Sequence, residues 1–489
     1  MATIHIIANA TSAKIANPSR DINLLISNAL SYEVEGVAFM PSAIKSQWSG
    51  ISSFYKIKDS TFPAGFVGHV RGVLLSNGYV TKLSMKPIPQ PLGDENPTVK
   101  GVSGDDRRYD YQMEMVRILE KKRRIIAQIA TGGGKSNCAI LAYERIRRMT
   151  LFITTRAVLM YQMKDRFEKQ GESVGVIGDK NLIIKKGFNV AMSQTLFSML
   201  KDPSRVEGVK ALLSKIEFVI LEEAHEISGN GYYEVLKHCK NAHYRLALTA
   251  TPFMKDNGED NMRLQAAVGG IGIKVSEKQL IDSEILAKPY FKFISTERPI
   301  GLARGASWIK AYQLGIVQNK HRNAAIVYEA ERAVRYKLRV IILVIRKEHG
   351  EILLAALTKA KIKTKFISGS SSKEQRESAL YSLSSGKLEV LIGSTIADVG
   401  IDVPALGMVI LAGGGKAEVN LRQRIGRGLR AKKEGGNVTF IVDFTDEHSK
   451  ITHSHAKQRR AIIESTDGFR EGILKTDQDF DFKLISKPK

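Results

Sequence analysis

Short, nearly continuous runs of Val, Ile, Leu and Phe alternate with stretches of helical periodicity from about residue 105 to about residue 445. In the first part of that span the runs are 124–129, 151–154, 189–192, 218–221 and 245–248. In the second they are 339–345, 364–367, 389–392, 408–411 and 438–442. A strand with one wet face alternates apolar and polar residues, whereas a strand covered on both faces need not. The runs therefore predict parallel sheets sandwiched between helices, with ligand loops at the strand ends. Residues 1 to about 100 differ, alternating apolar and polar positions with aromatic and glycine punctuation. They end in Lys86-Pro87-Ile88-Pro89-Gln90-Pro91-Leu92-Gly93, which cannot continue a helix or a central strand and reads as a linker. The predicted class is α/β: two tandem parallel-sheet domains, 101–290 and 291–489, preceded by a small α+β accessory domain, 1–100.

Composition narrows the partners. With 489 residues, 43% of them hydrophobic and 25% charged, the chain reads as a soluble globular protein of several domains. No apolar run approaches the roughly 20 residues of a membrane-spanning helix. The opening Met1-Ala2-Thr3-Ile4-His5 lacks the features of a secretory signal. Two cysteines, Cys138 and Cys239, cannot build a disulfide framework, so a cytoplasmic location is expected. The histidines show no zinc-ligand spacing, and the cluster His448, His453 and His455 reads as polar surface. Lys and Arg outnumber Asp and Glu by 74 to 50, a net charge of +24 that favours a polyanionic partner. A merely basic enzyme has the same balance. A membrane surface lacks support, because the chain carries no lipid-anchoring motif and no basic amphipathic helix.

The candidate chemistry sits at two strand ends. Ile129-Ala130-Thr131-Gly132-Gly133-Gly134-Lys135-Ser136 follows one predicted strand and opens a predicted helix. Glycines let backbone N–H groups approach phosphate oxygens, and the helix N-terminus adds positive potential. Thr131, Gly132, Gly133 and Gly134 would cradle the phosphates, Lys135 would reach the β- and γ-phosphates, and Ser136 would bind Mg²⁺. The usual leading glycine is replaced by Ile129. The second site is Phe218-Val219-Ile220-Leu221-Glu222-Glu223, a buried strand delivering two acids. Glu222 is assigned to the metal and Glu223 to the attacking water. Far along the chain, Gln423-Arg424-Ile425-Gly426-Arg427-Gly428-Leu429-Arg430 supplies guanidinium groups that neutralise charge developing on a transferred phosphoryl group.

These blocks resemble the superfamily 2 helicases of the DExH type, over about residues 105 to 460. The resemblance implies two RecA-like domains, with Gln423, Arg427 and Arg430 completing an ATP site across the cleft between them. Arg108-Tyr109-Asp110-Tyr111-Gln112 is similar to the upstream segment whose glutamine reads adenine, which implies that role for Gln112. Thr154-Thr155-Arg156 and Ser193-Gln194-Thr195 fall where the family contacts the nucleic-acid backbone, implying contacts from Thr155, Arg156, Ser193 and Gln194. His225 and the Thr249-Ala250-Thr251 segment would couple nucleotide state to strand movement. Gly393-Ser394-Thr395 and Gly400-Ile401-Asp402-Val403-Pro404 resemble the fifth motif, with Thr395 on a phosphate of the tracked strand and Asp402 reporting nucleotide state. The family normally has Asp where this chain has Glu222.

Within the accessory region, Phe39-Met40-Pro41, Gln47-Trp48-Ser49-Gly50, Phe62-Pro63-Ala64-Gly65-Phe66-Val67 and Asn77-Gly78-Tyr79 resemble phage UvsW-type recombination helicases. Trp48 and Phe62 read as core, while Lys45, Lys56, Lys58 and Arg71 are candidates for phosphate contact, so residues 1–100 are expected to form a DNA-binding domain. The combined expectation is a monomeric, ATP- and Mg²⁺-dependent DNA helicase acting on single-stranded and branched duplex DNA in recombination, replication and repair. Translocation from 3′ to 5′ is implied by the resemblance. An RNA helicase is the nearest rival, followed by a restriction-system translocase, although the chain shows no nuclease constellation. A nucleic-acid switch that binds ATP but barely hydrolyses it also stays open because of Glu222.

Overall fold

A computed structural model describes residues 3–34, 50–102, 105–224, 230–253, 258–394, 406–415, 425, 429, 432 and 436–485. They fall into two compact units, one of residues 1–129 with 134–274 and one of residues 130–133 with 275–489. Among the described residues no helix is long and apolar enough to cross a membrane.

The first unit begins with β1 (Thr3–Ala8) and β2 (Ser12–Ile15), helix α1 (Arg20–Ala29), a two-stranded pair β3 (Ser31–Glu33) and β4 (Ile51–Ser53), β5 (Thr61–Pro63), helix α2 (Val67–Ser76) and β6 (Val80–Met85). The four-stranded sheet runs β5-β2-β1-β6, with β1 antiparallel to β2 and parallel to β6. Strict alternation in β1 turns Ile4, Ile6 and Ala8 inward, the period-2 pattern of a sheet with one dry face. Helix α1 starts where the Ser19 side chain accepts the Ile22 N–H, and it buries Ile22 and Ile26 against that face. Phe62 is 2% exposed and belongs to this core; Trp48 lies outside the described residues.

Next come α3 (Asp110–Lys122), β7 (Arg124–Ile129), α4 (Lys135–Ile146), β8 (Thr150–Thr154), β9 (Gly175–Gly178), β10 (Asn181–Ile183), β11 (Phe188–Met192), β12 (Phe218–Glu222), β13 (Tyr244–Thr249), α5 (Gly258–Val268) and β14 (Ile271–Val275). Their sheet has the order β10-β9-β11-β8-β12-β13-β7-β14, and the strands from β9 through β7 are all parallel. Val219, Ile220 and Leu221 are each 0% exposed, so both faces of β12 are covered, as continuous apolar runs require. The proline-rich stretch has no regular structure but is held in place. Leu92 and Gly93 donate to the carbonyls of Ile146 and Arg145, and Arg148 donates to the Gln90 carbonyl. A β-carbon on Gly93 would lie 1.6 Å from the Glu144 carbonyl oxygen, so only glycine fits there.

The second unit holds β15 (Lys288–Ile294), helix α6 (Lys320–Arg335), β16 (Val340–Leu343), β17 (Thr364–Ile367), β18 (Val390–Gly393), β19 (Met408–Ile410), β20 (Val438–Phe444) and helix α7 (Lys450–Ser465). Its sheet is fully parallel in the order β15-β20-β19-β16-β18-β17. Helix α7 is basic in sequence yet packs inward through Thr452, Ala456, Arg459 and Ile463. Arg459 lies 2.9 Å from Asp443 and 3.1 Å from Asp446, and Asp446 in turn holds Arg322 at 2.9 Å. One reading from sequence is corrected here. His448 is 1% exposed, with its Nε2 3.2 Å from both Thr296 and Asn319 and its ring against Gly315; it is not a surface histidine.

Candidate functional site

Because β7, β8, β11, β12 and β13 are parallel, their carboxyl ends share one edge of the first sheet. That edge is where open α/β sheets bind ligands. The loop after β7 turns through Gly132 at φ 89° and Gly134 at φ 74°, both in the left-handed region that glycine enters without steric cost. The Gly133 N–H donates to the Ala130 carbonyl at 3.1 Å, closing the turn. The Gly134 carbonyl then accepts from Asn137 at 2.8 Å and Cys138 at 3.1 Å, which starts α4. The first N–H groups of a helix have no partner within it, and they gather at this loop.

Gln112 of α3 is 4% exposed, and its Nε2 would be 2.6 Å from a β-carbon built on Gly134. The cradle is thus one that any side chain at position 134 would fill. Thr131, Lys135 and Ser136 are partly exposed around it, and the Lys135 ammonium lies 3.4 Å from the Ile129 carbonyl. Ile129 itself is fully buried as the last residue of β7, so the residue in place of the usual glycine serves the core. These residues fit a nucleotide's phosphates. Neighbouring Cys138 is fully buried, which pushes its thiol up to about 12, so it stays protonated and inert.

Strand β12 carries Glu222 as its last residue, followed by Glu223 and the buried Ala224. Both acids are partly exposed. Glu223 has φ 48°, a conformation that costs a non-glycine residue roughly 1–3 kcal/mol and clusters at functional sites. At the end of β13, Thr249 is fully buried and its Oγ1 accepts the Thr251 N–H at 3.2 Å. The Thr251 hydroxyl is buried and has no hydrogen-bond partner among the described residues. Gln128 donates to the Ala250 carbonyl at 3.4 Å, joining the strand of the phosphate loop to the Thr-Ala-Thr segment. Sequence reasoning passed over Gln128; its signal was a lone amide in the apolar run Arg124–Ile129.

Thr155 and Arg156 follow β8, and the Arg156 N–H donates to the Thr154 hydroxyl at 3.4 Å. After β11, Ser193 is 5% exposed and its hydroxyl lies 3.1 Å from Gln194 Oε1, whereas Gln194 faces solvent. His225, Thr395, Asp402, Gln423, Arg427 and Arg430 lie outside the described residues. Their flanks in the second unit are informative. Ser394, just past β18, donates to the Ile367 carbonyl at 3.2 Å. Ile425 and Leu429 are fully buried, with the Leu429 N–H donating to the Ile425 carbonyl at 3.2 Å. The Leu429 carbonyl accepts from the Ala287 N–H at 2.6 Å.

Comparison with known proteins follows the same division. Residues 106–254 match the family "Type III restriction enzyme, res subunit", and residues 323–432 match the "Helicase conserved C-terminal domain". The chain is 25% identical over 373 residues to putative helicase 22 of a Sulfolobus islandicus filamentous virus, covering 70% of this chain and 64% of that protein. It is 25% identical over 368 residues to the DNA 3′-5′ translocase XPB2 of Sulfurisphaera tokodaii, covering 68% of this chain and 81% of that protein. Among solved structures it is similar to T4 UvsW, at 18% identity and a TM-score of 0.48, over 94% of this chain and 97% of that one. The two family models lie in helicase order along the chain, one in each unit, and with the helicase-named relatives they support a superfamily 2 helicase.

Proposed function

We propose that the chain is a DExH-type, ATP- and Mg²⁺-dependent DNA translocase that remodels branched DNA, working as a monomer with motor domains 101–290 and 291–489. The observation that carries this reading is the shared edge of the first sheet. There a glycine loop opens α4, and Glu223, the acid just after β12, is held at a strained φ of 48°. Lys135 and the loop N–H groups bind phosphate, Gln112 faces adenine, and Ser136 with Glu222 holds Mg²⁺. Bound Mg²⁺ would neutralise phosphate charge there. Glu223 orients the water, and Thr249 and Thr251 relay the nucleotide state. Arg427, Arg430, Gln423 and Asp402 are assigned by motif, as are His225 and Thr395.

Thr155, Arg156 and Gln194 contact the tracked strand, with the buried Ser193 supporting Gln194. Little base specificity is expected from backbone contacts. The printed name of the Sulfurisphaera relative supports DNA as the track and 3′ to 5′ as the polarity. The net charge of +24 supports a polyanion.

The test is Lys135→Ala: ATP hydrolysis falls to background while DNA binding persists, because the lysine meets phosphate of the nucleotide and not the track. Full hydrolysis in that variant contradicts the assignment. Glu222, one methylene longer than the family's Asp, favours a second reading as a slowly hydrolysing switch. In that case Glu222→Asp raises turnover sharply; in the motor reading it changes turnover little.

A further inference from the structure

A cleft of about 630 Å³ opens in the first unit between the four-stranded sheet and the starting edge of the eight-stranded one. Its lining includes His69 and Arg71 from α2, Lys121, Lys122 and Arg123 at the corner between α3 and β7, and His243 before β13. The phosphate loop leaves the opposite end of β7, about 20 Å away for a strand of this length. Among the described residues no carboxylate and no Phe, Tyr or Trp ring lines the cleft. His69, Arg71, Lys121 and Lys122 are all exposed. Arg71 donates to the neutral Thr81 hydroxyl at 3.0 Å, and Arg123 is held over the Tyr244 ring at 5.1 Å.

The walls are fixed to each other. A β-carbon on Gly65 would sit 2.1 Å from the Gln265 carbonyl oxygen, so the backbone before α2 lies directly on the end of α5. Phe54 meets Tyr233 edge-on with centroids 6.2 Å apart, and Arg124 donates to the Ala10 carbonyl at 3.0 Å. Arg124 lies at the floor, where burial, and then Arg245, push its guanidinium down to about 9. Burial, followed by the same arginines, holds His243 below the ordinary histidine range.

We infer that this cleft is a second nucleic-acid site, holding the phosphodiester backbone of duplex DNA away from the motor's tracking edge. Fixed cations on two walls suit a duplex backbone. Single strands are gripped chiefly by stacking on large aromatic side chains, and the cleft offers no Phe, Tyr or Trp. The choice of DNA as the duplex rests on the motor reading above.

The test uses the full chain carrying Lys121→Glu with Lys122→Glu, and separately Arg71→Glu. Lys359→Glu with Lys361→Glu in the second unit is the charge-matched control. Affinities for a four-way DNA junction and for oligo(dT) are measured by fluorescence anisotropy across a salt series. The double variant should weaken junction binding about tenfold or more and flatten its log–log salt slope by about 2, one per lysine. Binding to oligo(dT), and the ATP hydrolysis it stimulates, should stay within about twofold of the unaltered chain. Unchanged junction affinity and slope would overturn the inference, and so would equal losses on junction, oligo(dT) and control. A selective loss of junction binding in a chain that hydrolyses no ATP would uphold the cleft and reject the motor reading.

Discussion

The amide nitrogen of Gln112 stands 2.6 Å from the point where a β-carbon on Gly134 would lie, at a loop residue with φ 74°. Position 134 therefore favours glycine on two grounds: its left-handed φ strains any other residue, and a β-carbon would force the Gln112 amide to shift. Gly134→Ala should displace Gln112 or the loop and lower kcat/KM for ATP ten- to hundredfold, about 1.4–2.7 kcal/mol of transition-state stabilisation. Steady-state ATP kinetics check this, and Gly258→Ala, where a β-carbon meets nothing within 4 Å, serves as the control.

The ion pairs of α7 separate buried from exposed charge. Arg459 and Asp443 are 4% and 2% exposed, whereas Arg460 and Glu464 are 48% and 49% exposed. Removing one partner of a buried pair leaves a charge without compensation, so Arg459→Ala should cost about 3–5 kcal/mol. Arg460→Ala should cost only about 0–0.5 kcal/mol from its ion pair. Urea unfolding followed by circular dichroism distinguishes the two, and equal losses would mean that α7 is not held by Arg459.

Acid should weaken the second unit through His349. Its Nε2 lies 2.9 Å from Asn323 Oδ1, and burial, followed by the nearby Arg322 charge, pushes it down to about 3 from 6.5. The folded state thus binds fewer protons than the unfolded chain between those values. The stabilisation is fully present above pH 6.5 and is lost progressively as pH falls toward about 3. Between pH 7 and 5 the loss from this residue is about 2 kcal/mol. His349→Gln keeps an N–H for Asn323 and cannot titrate, so its stability should fall by about that much less over the same interval. Parallel curves for the two proteins would contradict the assignment.

What could be read from the chain depended on how local its cause was. All ten apolar runs became strands, because burial on both faces leaves a continuous signature in sequence. Strand β15 was missed because Lys288-Pro289-Tyr290-Phe291-Lys292-Phe293-Ile294 alternates and contains proline. Strand β9 escaped because glycines bound a core of only two apolar residues. The glycine loop and the two acids were legible because each is a contiguous block, whereas the φ of Glu223 is imposed by its surroundings. The burial of His448 depends on Asn319, 129 residues away, and no local pattern announces such a pairing. The same holds for the basic cleft, whose lining is drawn from separate segments between residues 8 and 271.

The central claim is a DNA-driven ATPase, and the direct measurement is ATP hydrolysis with Mg²⁺ by the full chain under four conditions: no nucleic acid, single-stranded DNA, a four-way DNA junction, and RNA of matched length. Strong stimulation by DNA, greatest with the junction, is the predicted result. Greater stimulation by RNA, or no hydrolysis under any condition, would contradict it.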